Sequence, residues 1–253
     1  MPAKSRLSID EVRHRLADAA SVVVLTGAGI SAESGVPTYR GTGGLWKNFR
    51  AQDLATLEAF DRDPALVWGW YRNRRRALLD CKPNPAHRAL AAAAVNPERE
   101  LIVITQNIDG LHTIAGLADP LEIHGNIWRE KCVRCRHRVD RTADYTARRV
   151  PAEDAPPPKC PGCDDLLRPD VVWFGEQLDP LLLDSAFRAA EACDVMLVVG
   201  TSCEVHPAAL IPLVARKAGA CLVEINLEPT PLTERCDASL FAPAGQTVPE
   251  LFG

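Results

Sequence analysis

LIVITQNIDGLHTIAGLADPLEIHG, residues 101–125, is the stretch whose reading decides the fold. It opens on four apolar residues, Leu101, Ile102, Val103 and Ile104, with no polar residue at alternate positions. Such a run suits a strand buried on both faces, as in a parallel sheet covered by helices. It stops at a polar loop carrying Gln106, Asn107, Asp109 and Gly110, and a second apolar piece (Leu121, Glu122, Ile123) delivers His124 and Gly125 in the same way. Ligands of open α/β sheets sit just beyond the carboxyl ends of the strands. Two amides, a carboxylate and an imidazole there make a candidate polar site. Turn and capping duty is the alternative for either loop taken alone.

Upstream, Ser8 with Glu11 three residues on reads as a capping box that opens a helix over 9–20. The apolar run 22–25 then leads into Thr26-Gly27-Ala28-Gly29-Ile30-Ser31-Ala32-Glu33-Ser34-Gly35. Strand, glycine turn and helix start are the context a dinucleotide fingerprint requires, and Gly27, Gly29 and Ala32 fit its G-x-G-x-x-G/A form. A bare glycine turn is the alternative. The next stretch, 36–46, is a long Pro- and Gly-rich loop containing Tyr39, Arg40 and Trp46, as expected of a lid over a cofactor. No second strand ending in an acid follows, which argues against a plain nicotinamide dehydrogenase.

Residues 53–79 read as helical, with Asp61 or Asp63 and Pro64 opening the second helix. Tyr71 and Arg74 are three apart and share a face, while Arg72, Arg75 and Arg76 point elsewhere. The plain expectation is a solvated basic face with Trp68, Trp70 and Tyr71 packed beneath. An alanine-rich helix over 87–95 follows the break at Pro83–Pro85.

Downstream, Cys132 and Cys135 form one C-x2-C pair, and Cys160 and Cys163 a second, roughly two dozen residues apart. Four thiolates so spaced close a tetrahedron around one zinc ion and leave no open position, so the metal is expected to be structural; a redox pair is the alternative. Residues 171–174, between Pro169 and Gly175, read as an exposed aromatic strand that could take up an extended peptide by strand addition, or as ordinary core. A helix over 180–192, a strand over 195–199 ending in Gly200-Thr201-Ser202, a helix over 208–218 and a strand over 222–225 ending in Asn226-Leu227-Glu228 complete an alternating pattern. These strand ends suit adenine and ribose. A last apolar segment, 238–241, precedes a turn at Ala244-Gly245-Gln246.

The 253 residues are 47% hydrophobic and 25% charged, enough for one large domain with an insertion. A formal net charge of −4 gives no reason to bind nucleic acid or an anionic membrane, and no apolar run is long enough to span a bilayer. Acids among the first fifteen residues argue against targeting peptides, so a cytoplasmic location is expected. The other five of the nine cysteines (Cys81, Cys193, Cys203, Cys221 and Cys236) are scattered as small buried hydrophobes would be.

Taken together, GAGISAESGVPTYRG, TQNIDGLH, EIHG, the paired C-x2-C, VVWFGE, VVGTS and INLE stand in the order found in sirtuins, and the chain resembles that family of NAD-dependent protein-lysine deacylases over nearly its whole length. The resemblance implies an α/β fold: a Rossmann-like parallel sheet with helices on both faces (1–45, 83–127 and 170–253) and a small domain built from a helical insertion (46–82) and a zinc-ribbon insertion (128–169). It implies that Gly27, Ala28, Gly29, Ala32 and Glu33, with Tyr39, Arg40 and Trp46 in the mobile loop, meet the cofactor's pyrophosphate side. Gln106, Asn107, Ile108 and Asp109 would surround nicotinamide and its ribose, and Gly200, Thr201, Ser202, Asn226, Leu227, Glu228 and Ala244 the adenosine. His124 would be the general base, acting with Asn107 and Asp109, and the four paired cysteines would hold one zinc. Val172, Trp173, Phe174, Gly175 and Glu176 would clamp acylated-lysine protein substrates as an extended peptide.

The resemblance also gives Tyr71 and Arg74 another role, because their Y-x-x-R marks the desuccinylase-like branch, with Ala51 leaving room for the acyl chain. A charge-assisted hydrogen bond is worth about 1.5–3 kcal/mol, roughly ten- to a hundredfold in favour of an acidic chain. Succinyl- and malonyl-lysine are therefore expected as preferred substrates and acetyl-lysine as a weaker one. In the implied reaction nicotinamide leaves, the acyl oxygen attacks the ribose, and the products are lysine, nicotinamide and 2′-O-acyl-ADP-ribose. A monomer is expected, without direct nucleic-acid or membrane partners. The alternatives are a general deacetylase, a mono-ADP-ribosyltransferase, or a non-catalytic NAD or ADP-ribose sensor. Tyr39 stands where phenylalanine is commoner in the family.

Overall fold

A computed structural model describes residues 6–37 and 51–253, the side chains of Ala51 and Gln52 excepted. Strand β1 (Ser21–Thr26) shows why its apolar run is continuous. Val22 and Val24 pack on one face of a sheet, against Val12 and Leu16 of α1 (Ile9–Asp18), Ala86 and Leu90 of α5 (Pro85–Ala94) and Val248 of α10 (Ala244–Phe252). Val23 and Leu25 pack on the other, with Ala186 and Ala190 of α8 (Pro180–Ala192) and Ile211 and Ala215 of α9 (Ile211–Ala218). Period-two geometry sends alternate residues to opposite faces, so a strand covered on both must be apolar throughout.

The sheet contains β2 (Glu100–Thr105), β3 (Leu121–Glu122), β7 (Val195–Val199), β8 (Cys221–Asn226) and β9 (Ala238–Phe241) beside β1, in the order β3-β2-β1-β7-β8-β9, with every pairing parallel. Counted within this sheet the order is that of a doubly wound nucleotide-binding fold, and it reverses between β1 and β7. The expected α/β architecture is present.

A second sheet, antiparallel, runs β5-β4-β6 through β4 (Gly125–Cys132), β5 (Arg138–Asp140) and β6 (Leu167–Val171). Helices α2 (Ala51–Leu54), α3 (Leu57–Arg62) and α4 (Pro64–Leu78) lie beside it, and the short α6 (Leu111–Ile114) and α7 (Thr142–Thr146) complete the set. Strand β4 starts at Gly125 and β6 ends at Val171, so this sheet takes in residues on both sides of the expected joints at 127 and 170. Its apolar core joins Phe60, Trp68, Tyr71, Ile127, Trp128 and Trp173.

Three local expectations are corrected, and one open alternative is settled. Helix α4 does not present a solvated basic face: Arg72 and Arg75 are buried, at 3% and 4% exposure. The Arg72 guanidinium donates to the main-chain carbonyls of Glu153, Ala155 and Pro156, and Arg75 donates to the Ile127 carbonyl and to Glu130 at 3.0 Å. Planar guanidinium groups with five donors can enter a core that supplies this many acceptors. Asp63, rather than Asp61, caps α4, accepting from the Leu66 amide at 2.9 Å. The aromatic strand ends at Val171, and Trp173 is buried while Phe174 stays exposed. Finally, Ala244 opens helix α10 instead of a turn, and Glu33 accepts from the Gly245 amide there at 2.6 Å.

Arg75 and Glu130 are each 5% exposed at the side chain, so removing one strands the other's charge in the core. Arg75→Met should cost about 3 kcal/mol, at the low end of the usual range because Arg141 also reaches Glu130 at 3.2 Å. Urea unfolding of the variant beside the parent measures this.

Candidate active site at the strand-order reversal

The turns after β1 and β7 touch. The Gly27 amide donates to the Val199 carbonyl at 2.9 Å and the Gly29 amide to the Gly200 carbonyl at 2.8 Å. A Cβ on Gly27 would lie 2.6 Å from Thr201 Cβ, and one on Gly29 would lie 2.7 Å from Gly200 Cα. The glycines are therefore required by each other's backbone as well as by any pyrophosphate. The turn continues as a 3-10 helix over Ala28–Ser34.

The polar side chains beyond β2 close on this junction. Asn107 Nδ2 donates to the Gly27 carbonyl and to Ser31 Oγ, both at 3.1 Å. Gln106 Nε2 donates to Thr201 Oγ1 at 2.9 Å, and Asn226 Nδ2 to the Thr201 carbonyl at 3.0 Å. Asp109 is buried, with Oδ2 accepting from Ser31 Oγ at 2.8 Å and Oδ1 from the Leu111 amide at 2.9 Å. Burial pushes its carboxyl above the ordinary range against these hydrogen bonds and the Arg74 charge. Capping and turn bonds are thus present, but they tie together four separate strand ends.

His124 sits at the far side with Nδ1 3.0 Å from the Gln106 carbonyl. A carbonyl only accepts, so Nδ1 carries the hydrogen and Nε2 is left as the basic nitrogen. Burial pulls the imidazole's pKa below its ordinary value, and the Gln106 hydrogen bond opposes that shift.

Of the other expected residues, Ile108 packs on the core of the small sheet, and its carbonyl accepts from Ile127. Leu227 and Glu228 are exposed beyond β8, and Ala32 and Glu33 are exposed on the turn helix. Tyr39, Arg40, Trp46 and the Ala51 side chain lie outside the described residues. Residue-by-residue reading missed Ser31, fully buried between Asn107 and Asp109, and the neighbouring rings of His87 and His112, 4.8 Å apart. Ser31 stands inside the glycine turn, so a buried hydroxyl could have been suspected from the motif; the histidines lie on separate helices and carried no such signal.

The Cys132, Cys135, Cys160 and Cys163 sulfurs all lie within 4.8 Å of one another, and every cysteine is free of disulfide. Four converging thiols from two C-x2-C pairs are the donor set of a structural zinc site. The Arg134 amide donates to the Cys132 sulfur and the Gly162 amide to the Cys160 sulfur at 3.4 Å, as suits thiolates that need orienting.

Residues 27–207 match the model of the Sir2 family. The chain belongs to that family. It is 47% identical over 250 residues to an NAD-dependent protein deacylase of Pyrococcus furiosus, covering 96% of each chain. Among solved structures it is similar to a Sir2 homolog–NAD complex (TM-score 0.88, 40% identity, 100% of this chain and 95% of that one). It is also similar to a Sir2 homologue variant bound to 2′-O-acetyl ADP ribose (TM-score 0.84, 40% identity, 96% and 93%). Among the described residues, no helix is long and apolar enough to cross a membrane.

Burial pushes His87 down to about 4, helped by the Arg88 charge, and His112 to about 3, helped by His87. Unfolded, both would bind protons from about pH 6.5 downward, so stability is complete above that pH and falls as pH drops toward the folded values. Between pH 7 and 5 the loss should be about 2–4 kcal/mol in urea titrations, and His112→Gln should flatten the slope. For the metal site, Cys160→Ser should lower bound zinc, measured by elemental analysis, from one ion per chain to a small fraction.

Proposed function

We propose that this protein removes acyl groups from protein lysine at the expense of NAD, yielding acyl-ADP-ribose, and that it favours succinyl- and malonyl-lysine over acetyl-lysine. His124, with its acceptor nitrogen set by the Gln106 carbonyl beside the buried Asn107 and Asp109, is the observation that carries the catalytic reading. Bound there, NAD supplies a ribose carbon with a good leaving group and hydroxyls that can take over the acyl group. His124 Nε2 would draw a proton from those hydroxyls, and Asn107 and Asp109 would hold the ribose side in place. Glycine-only contacts at Gly27 and Gly29 would let the pyrophosphate lie close to backbone N–H groups.

Support for the acidic preference comes from helix α4. The Arg74 guanidinium lies 4.8 Å over the Trp70 ring, half-buried, and its positive charge favours the ionised form of Asp109. Tyr71, on the same helix face, is buried, and its hydroxyl accepts from Trp173 Nε1 at 2.8 Å, beside the segment proposed to hold the peptide. An acyl-lysine entering between them would end near the Arg74 fork, which suits a carboxylate. We take Val172–Gly175 as the peptide-binding segment and the chain as a cytoplasmic monomer.

The test is a mass-spectrometric rate comparison on one peptide carrying acetyl-, malonyl-, succinyl- or glutaryl-lysine, with NAD. The parent should prefer acidic chains by about tenfold or more, and Arg74→Met should lose that preference while keeping acetyl turnover. His124→Tyr should abolish all turnover with zinc content intact. Preference for acetyl-lysine, unmoved by Arg74→Met, would leave a general deacetylase.

A further inference from the structure

Five residues after β6 begin to reverse the chain: Val172, Trp173, Phe174, Gly175 and Glu176, with Gly175 at a φ of +84°. On sequence alone Glu176 counts among the peptide contacts. Its carboxylate is instead occupied from within. Oε1 accepts from Arg168 Nη1 at 2.8 Å, and Oε2 accepts from Arg168 Nη2 at 2.6 Å and from the Trp173 amide at 2.8 Å.

Arg168 is bound on every side. Its Nη2 also donates to the Val171 carbonyl at 2.8 Å, and its guanidinium carbon lies 3.7 Å from the Trp173 ring centroid. The side chain is only 4% exposed. From Trp173 the chain of contacts continues: its indole N–H donates to the Tyr71 hydroxyl at 2.8 Å, and its ring packs on Phe60 at 5.4 Å. The backbone on either side is equally committed, since the Val172 amide donates to the His124 carbonyl and the Phe174 amide to the Ala55 carbonyl, both at 2.9 Å.

Buried pairs of this kind contribute little net stability after desolvation, so their use lies in geometry. A bidentate fork fixes both distance and plane, and here the plane is also the one on which the indole stacks. We propose that Arg168 and Glu176 are positioning residues of the acyl-lysine site. Their ion pair sets the turn 172–175 and, through the Trp173 indole, the direction of the Tyr71 hydroxyl; Glu176 acts on the substrate only by this route and does not touch the peptide. The inference rests on the reading above that this turn and Tyr71 meet the acyl-lysine.

The experiment is steady-state kinetics on acetyl- and succinyl-lysine peptides for the parent, Glu176→Gln, Arg168→Lys and the double variant Arg168→Met/Glu176→Met. The double variant leaves no uncompensated charge, so it keeps the test open if a single variant fails to fold. In each folded variant the KM for the acetyl peptide should rise about tenfold and that for the succinyl peptide further still, while KM for NAD and kcat at saturating peptide stay within about twofold. The succinyl-to-acetyl ratio of kcat/KM should fall as well, because Tyr71 loses its fixed partner. An unchanged peptide KM in the folded double variant overturns the proposal. So does a collapse of kcat at constant KM, which would place the pair in the chemistry. If the parent shows no acidic preference, the acyl-pocket reading fails alone, and the acetyl-peptide KM still decides this one.

Discussion

The hydrogen bond from the Gly29 amide to the Gly200 carbonyl, at 2.8 Å, joins the turns that follow β1 and β7, the adjacent strands at which the order of the sheet reverses. Side chains larger than hydrogen at Gly27 or Gly29 would drive the turns apart by collision with Thr201 or Gly200. With the turns in contact, the Gln106 amide reaches Thr201 and the Asn107 amide reaches Gly27 and Ser31, so the candidate site is drawn to one point. His124 inherits its place from the same junction, because the Gln106 carbonyl that orients it belongs to the residue that bridges to Thr201. On the proposed reading, one close backbone approach serves both cofactor access and base orientation.

The small module is held by a different force. Its core is aromatic, and Arg72 and Arg75 of α4 enter it to meet carbonyl and carboxylate acceptors. Arg72 grips the loop between the two cysteine pairs, so the helix that carries Tyr71 and Arg74 is braced from behind by the segment the zinc site anchors. That makes the metal-ordered segment a support for the proposed acyl pocket. Guanidinium groups bring their desolvation cost into this core, and the return is a fixed orientation rather than a large gain in stability.

The segment proposed to hold the substrate lies between these two regions and is bonded to both. Val172 meets His124 of the larger sheet's site, while Trp173 meets Tyr71 of α4. A turn tied at each end can present peptide-binding backbone at a set distance from the base. Such preorganisation is how a site keeps the reacting atoms in register without relying on the substrate to order the chain.

The alternating apolar runs, the glycine turn, the capping box at Ser8 and Glu11, and the two C-x2-C pairs were local signals, and each is a local consequence of chain geometry or of ligand spacing. From them the doubly wound sheet, the cluster of four thiols and the polar strand ends could be read before any coordinates. Partners distant in the chain could not. That Arg72 and Arg75 are buried depends on carbonyls some fifty to eighty residues away. Glu33 meets helix α10 for the same reason, whereas Glu176 turns inward to Arg168 only eight positions before it, through a turn that carries no periodic signal. Periodicity tells which way a side chain leaves its own element, while the acceptor waiting there belongs to another element. Only the tertiary structure brings the two together.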